Sequence, residues 1–324
     1  MMKRILIKTD GNSKIASGHI RRCLSIAEIL KEKGASVSFW FSDEESPDIL
    51  HRFTGDLISF PYMTEPPAEK YEFLLLDSYS LDENDFPGYR KYAAKTGYID
   101  DLCSFDPDVD LIINYDPDPP KDLYHAPVQL LGTAFAPLRK QFAGPSIDIK
   151  ENAERILIST GGTDPYRLLA GILKNAGPSL QYIAVMGAVF DEGYRSQLQQ
   201  IADENKNITL CENVSDMAAL MRSADIAVTA GGTTLYELCA CGIPSIVFTM
   251  ADNQLDFTEG FYKRNAIWYE GDARREPALI SLIGSRINLI LSDQDSRRIK
   301  SDTAHAMVNG TGSFSIADAI LDII

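Results

Sequence analysis

Asp225-Ile226-Ala227-Val228-Thr229-Ala230-Gly231-Gly232-Thr233-Thr234-Leu235-Tyr236-Glu237-Leu238 is the stretch on which the fold turns. An apolar run meets a glycine pair, two hydroxyl residues follow, and an apolar helical pattern begins. That order is strand, tight turn, helix. It occurs twice more. Residues 156–159 form an apolar run followed by Gly161-Gly162-Thr163-Asp164-Pro165, and residues 5–9 lead through Asp10-Gly11-Asn12 to Ser17-Gly18-His19. The helix expected over residues 18–33 places Ile20, Cys23, Leu24, Ala27 and Leu30 on one face and stops at Gly34. Further strands are expected at 37–41, 57–60, 73–76, 97–99 and 111–114, then at 182–186, 208–210 and 245–248. Strand and helix alternating in this way imply an α/β protein whose parallel sheets are covered on both faces. The cycle restarts near residues 148–153, so the chain divides into an N-terminal domain, 1–148, and a C-terminal domain, 149–324. Residues 313–324 look helical and can pack on either.

Composition narrows the partners. The 324 residues carry 31 Lys+Arg against 46 Asp+Glu, a formal charge of −15. No basic surplus is left to neutralise a nucleic-acid backbone, so a polymer partner is not expected. The acidic balance and the lack of a long apolar run also argue against a membrane partner. The start of the chain reads as a first strand rather than a signal peptide. Five cysteines without CxxC spacing read as reduced thiols. A cytoplasmic monomer acting on a small molecule is the expectation.

Three strand-to-helix turns and one further loop could carry chemistry. Gly18-His19 opens the first helix. A glycine there lets a ligand approach the backbone, and a neutral imidazole in the first turn can take a proton from water near pH 7. Gly161-Gly162-Thr163 can offer backbone amides to a phosphate, yet it is neither a Walker A loop nor GxGxxG. Gly232, Thr233 and Thr234 can hold a diphosphate, and Glu237, one helical turn further on, can grip both hydroxyls of a ribose. Asp252-Asn253-Gln254 presents paired donors and acceptors suited to a polyhydroxylated or amide-bearing sugar. The D-x-D runs at Asp106, Asp108, Asp110, Asp116 and Asp118 are broken by prolines and read as turns, so no metal is expected. His51, His125 and His305 stand outside any motif.

Together these sites resemble the glycosyltransferase-B architecture, in which two Rossmann-like domains face each other across a cleft that holds a UDP-sugar. The C-terminal pair of motifs is similar to the peptidoglycan N-acetylglucosaminyltransferase family. The succession Asp10-Gly11-Asn12, Gly18-His19, Arg22-Cys23-Leu24, Asp77-Ser78-Tyr79, Ile99-Asp100-Asp101, Asn114, Leu138-Arg139 and Phe142 resembles the UDP-2,4-diacetamido-2,4,6-trideoxy-β-L-altropyranose hydrolases of pseudaminic acid biosynthesis. The resemblance runs over about residues 3–320.

The resemblance implies a function. His19 would be the general base on a water that attacks the sugar C1, with inversion and release of UDP. Tyr79 and Asn253 would orient water or sugar. Asp10, Gly18, Arg22, Asp252 and Gln254 would meet the substrate, Gly162 and Thr163 with Gly232, Thr233 and Thr234 the diphosphate, and Glu237 the ribose. No metal or other cofactor is implied, because helix N-termini would stabilise the leaving group. The sequence departs from the family pattern at Lys8, Ala16 and Ser78, which leaves the identity of the sugar open. Two other functions compete: a glycosyltransferase with a UDP-sugar donor, and a non-catalytic nucleotide-sugar binder. The binder would have no need of His19 beside Gly18.

Overall fold

The computed structural model describes residues 2–12, 17–54, 59–103 and 105–324. Ala16 lies outside them, as do Leu57 and Ile58 of the strand expected at 57–60, whose other two residues, Ser59 and Phe60, are not in a strand. The chain forms two compact units. One comprises Met1–Lys140 with Gly310–Ile324, the other Gln141–Asn309.

The first unit is built on seven parallel strands: β1 (Arg4–Thr9), β2 (Ser36–Trp40), β3 (Tyr62–Met63), β4 (Tyr71–Asp77), β5 (Ala93–Ile99), β6 (Leu111–Asn114) and β7 (Val128–Leu131). Their order is β3-β2-β1-β4-β5-β6-β7. Helices α1 (Gly18–Glu32), α2 (Ser46–Thr54) and α3 (Phe86–Tyr89) belong to this unit. Five of the six β1 residues are buried, as a strand covered on both faces must be. Leu6, Leu74, Leu76 and Ile112 pack with Phe86, Tyr98 and Tyr124 in one core cluster.

The second unit has six parallel strands: β8 (Arg155–Ser159), β9 (Gln181–Val185), β10 (Ile208–Cys211), β11 (Ile226–Ala230), β12 (Ser245–Thr249) and β13 (Trp268–Asp272). They are ordered β10-β9-β8-β11-β12-β13. Helices α4 (Leu168–Lys174), α5 (Glu192–Glu204), α6 (Met217–Arg222), α7 (Thr234–Cys241), α8 (Leu255–Lys263), α9 (Leu279–Ile290) and α10 (Gln294–Met307) follow in chain order. Ile156, Ile158, Val228, Ile246 and Phe248 of the sheet pack with Leu169, Leu173, Leu198, Ile283 and Ile287 of the helices.

The last helix, α11 (Gly312–Ile323), packs within the first unit. Lys33 pairs with Asp318 at 2.6 Å, and the Ser313 hydroxyl donates to the Leu138 carbonyl at 2.7 Å. The helix starts so close to the backbone that a Cβ on Gly312 would lie 2.2 Å from the Ala136 carbonyl oxygen. Three short strands give little sequence signal. β3 has only two residues, Gln129 interrupts the apolar residues of β7, and β13 reads Trp-Tyr-Glu-Gly-Asp.

Each sheet reverses its winding once, between β1 and β4 and between β8 and β11. In open parallel sheets the crevice beyond the strand ends at such a reversal is where ligands bind. The His19 and Gly161-Gly162/Gly231-Gly232 motifs all follow strands that flank a reversal.

Candidate active site

In the first unit the reversal places the ends of β1 and β4 side by side, with Thr9 in register with Asp77. The loop after β1 leads to α1, and His19 in its first turn turns inward, only 4% exposed. Its Nδ1 lies 2.6 Å from Asp77 Oδ1. Asp77 is fully buried. Burial alone would raise its carboxyl. The charge and hydrogen bonds of Arg22, with the hydrogen bond of His19, overcome that and hold it well below the usual carboxylate range. Asp77 is therefore an acceptor only, and the hydrogen on Nδ1 belongs to this bond. That tautomer leaves Nε2 with its lone pair, as a general base requires. The 3.0 Å approach of Arg22 Nη2 to Nδ1 is then a contact between two donors, tolerated because both donate to Asp77.

Arg22, one turn along α1, spans the ends of three strands. Its Nε donates to Asp77 Oδ2 at 2.7 Å and its Nη2 to Asp77 Oδ1 at 2.5 Å. Its Nη1 donates to Asp101 Oδ2, just past β5, and to the Tyr115 hydroxyl, just past β6. A second Nη2 contact reaches Asp101 Oδ1 at 3.5 Å. All five N–H directions of the guanidinium are thus taken by protein groups. Arg22, expected at the substrate, is the tie that gathers Asp77, Asp101 and Tyr115. Tyr79 stands over this cluster with its ring edge-to-face on His19, centroids 4.3 Å apart. The Tyr79 hydroxyl donates to Asp101 Oδ2 at 2.9 Å. Burial, then the nearby Asp101 carboxylate, push its phenol above the ordinary value, so it stays protonated at neutral pH.

Asp10 is held elsewhere. Its carboxylate accepts from Lys8 Nζ at 2.8 Å and from the Ser42 backbone N–H at the end of β2. Lys8 therefore serves the Asp10 loop. A Cβ added to Gly18 would meet nothing within 4 Å, so the backbone there faces open space. Ser78 shares a hydrogen bond with Ser80 at 2.8 Å.

In the second unit, β8, β11 and β12 are neighbours, and their ends carry the three expected loops side by side. The two glycines of the Gly231-Gly232 pair do different work. A Cβ on Gly231 would lie 2.1 Å from Thr258 Oγ1 of α8, whereas one on Gly232 or Gly162 would meet nothing within 4 Å. Gly231 thus lets the turn pack down, and Gly232 leaves empty space beside it, while its own N–H donates to the Ala230 carbonyl at 2.9 Å. Thr233 is exposed and caps no N–H of α7 with its side chain, and Thr234 and Glu237 are half-buried on the first turn. Gly162 and Thr163 are exposed. Asp164 is buried and accepts from the Leu168 and Leu169 N–H groups and from Tyr194. It caps α4 from a distance, so the helix begins three residues beyond the Asp164-Pro165 pair. Asp252 pairs with Arg274 at 2.8 Å, and Arg274 is also clamped by Asp272. Gln254 accepts from the Met250 N–H at 2.8 Å. Both side chains brace the turn that leaves Asn253 exposed.

Asp77, Asp101 and Tyr115 were not singled out as site residues from sequence. The available signals were their place at the ends of predicted strands and, for Asp77 and Asp101, the motifs Asp77-Ser78-Tyr79 and Ile99-Asp100-Asp101. The acids of the D-x-D runs in part serve other partners: Asp106 holds His125, Asp108 holds Arg90 and Asp110 holds Lys95. Among the described residues, no helix is long and apolar enough to cross a membrane.

Residues 156–271 match the glycosyltransferase family 28 C-terminal domain. The chain is 22% identical over 250 residues to the UDP-2,4-diacetamido-2,4,6-trideoxy-beta-L-altropyranose hydrolase of Campylobacter jejuni, covering 72% of this chain and 87% of that one. It is 25% identical over 246 residues to the pseudaminic acid cytidylyltransferase and UDP-2,4-diacetamido-2,4,6-trideoxy-beta-L-altropyranose hydrolase of Helicobacter pylori, covering 74% of this chain and 43% of that one. The family resemblance is borne out. A third relative is the spore coat polysaccharide biosynthesis protein SpsG of Bacillus subtilis, 24% identical over 80% of this chain and 81% of that one. Among solved structures, Acinetobacter baumannii MurG superposes with a TM-score of 0.70 at 12% identity over 99% of both chains. The fold is that of the glycosyltransferase-B proteins: two Rossmann-like α/β domains.

Proposed function

We propose that this enzyme hydrolyses a UDP-linked deoxy-diacetamido sugar to UDP and free sugar. The observation that carries the reading is the buried Asp77–His19 pair, 2.6 Å apart at the winding reversal of the first sheet. His19 Nε2 takes a proton from water as the water oxygen bonds to C1. The C1–O bond breaks, its electron pair leaves on the diphosphate, and C1 inverts. Asp77 stabilises the imidazolium that forms. The free space beside Gly162 and Gly232, with Thr163, Thr233 and Thr234, receives the diphosphate, and Glu237 the ribose. Asn253 orients the reacting groups, while Asp252 and Gln254 hold its turn. The names of the Helicobacter and Campylobacter relatives support the substrate class.

A glycosyltransferase using the same donor is the second reading, favoured by the family 28 match and by the likeness to MurG. The deciding experiment offers purified enzyme a panel of UDP- and CMP-amino sugars in EDTA, without any acceptor, and measures free nucleotide. Steady UDP release, with ¹⁸O from water appearing on the sugar, is the expected result. Strict dependence on an acceptor would move the assignment to the transferase.

A further inference from the structure

The Tyr79 hydroxyl has one hydrogen, and the structure spends it on Asp101. Asp101 sits just past β5 with its side chain 20% exposed, and its Oδ2 also accepts from Arg22 and, at 3.5 Å, from Tyr115. Arg22 can only donate and a carboxylate can only accept, so the direction of the Tyr79 bond is fixed. What remains on the phenol oxygen is a pair of lone pairs. Tyr79 is 52% exposed and stands edge-on to the ring of His19.

We propose that Asp101 is a positioning residue that makes Tyr79 an obligate hydrogen-bond acceptor beside the base. Resting on the hydrolase reading, the group accepted is the second O–H of the attacking water. One hydrogen of that water goes to His19 Nε2, and the other is held by Tyr79, so an oxygen lone pair is left for C1. A donor at Tyr79 would engage one of the water's two lone pairs and draw electron density from the attacking oxygen, whereas an acceptor leaves both clear. The network thus sets polarity as well as position. Arg22 makes it rigid, because the same guanidinium fixes Asp77 behind His19 and Asp101 behind Tyr79.

Three variants and their combinations test this. Asp101→Asn keeps an acceptor oxygen for the Tyr79 hydroxyl but removes one of the two negative charges beside His19, so its kcat should fall by less than that of Asp101→Ala. Asp101→Ala removes the acceptor, and kcat should fall by about 10–100-fold, the scale of one lost hydrogen bond to a charged group, with KM little changed. In a Tyr79→Phe background the alanine substitution should cost clearly less than in wild type, because the part of its effect that runs through the Tyr79 hydroxyl is already gone. Wild-type kcat in Asp101→Ala, or losses that multiply in the double variant, would overturn the proposal. If Asp101→Ala does not fold, NMR of ¹³C-labelled tyrosine in Asp101→Asn decides. Loss of the carboxylate should let Tyr79 titrate at lower pH than in wild type, and an unmoved Tyr79 titration would overturn the proposal. The NMR measurement needs no substrate, so its failure is distinct from a failure to find hydrolysis.

Discussion

Replacing Asp77 by Asn removes one negative charge and almost no volume. Around it, Arg22 carries one positive charge, and Asp77 and Asp101 carry two negative ones. The cluster is therefore at −1 while His19 is neutral and reaches zero when His19 accepts the proton. In Asp77→Asn the same step runs from zero to +1. With charge centres about 4 Å apart and an effective dielectric near 20, the lost attraction is about 4 kcal/mol. That corresponds to roughly a thousandfold in kcat. The amide adds a second fault. Asp77 accepts from His19 and Arg22 on Oδ1 and from Arg22 and Cys23 on Oδ2. An Asn NH₂ must face a donor on one side, and facing His19 it drives the proton onto Nε2. The assay is steady-state UDP release by Asp77→Asn, with UDP affinity measured by calorimetry. Affinity should be unchanged. A folded variant within about tenfold of wild-type kcat would refute the argument, because the electrostatic term alone predicts more. Stability gives a separate check. The Asp77 carboxyl is held well below its ordinary value of 3.8. Its contribution is therefore complete above about pH 4 and is lost as pH falls below that. The stability gap between wild type and Asp77→Asn, from urea unfolding, should be smaller at pH 3 than at pH 7.

Three other outcomes follow from the geometry. His19→Asn should keep UDP affinity while kcat falls at least about 100-fold, the scale of a lost general base; wild-type turnover would remove the assigned base. Glu237→Ala should chiefly weaken UDP binding, and unchanged affinity by calorimetry would remove its ribose role. Gly231→Ala should destabilise the protein by about 1–3 kcal/mol through overpacking against Thr258. Thr258→Ala should relieve most of that loss in urea unfolding, and no relief would mean that the clash is not the cause.

The α/β class and the two cycles were legible because they rest on local signals. Apolar runs ending in glycine and the apolar face of residues 18–33 are encoded within a few positions of each other. The edge strands β3, β7 and β13 were not legible, since their residues are partly exposed or polar and their pairing supplies the order. The candidate site divides the same way. His19 beside Gly18, and Gly232 through Glu237, can be picked out from neighbours along the chain. The division of labour between Gly231 and Gly232 cannot, because Thr258 closes over Gly231 from 27 positions away.

The sequence by itself determined the central strands and the helix that opens at Gly18, since burial periodicity and turn chemistry act over one or two turns of chain. Tertiary structure decided what surrounds His19. Arg22 meets Asp77, Asp101 and Tyr115 across 55, 79 and 93 residues. Those partners meet only because β4 pairs with β1 and is followed in the sheet by β5 and β6. Strand order is a property of long-range pairing, and no local pattern carries it.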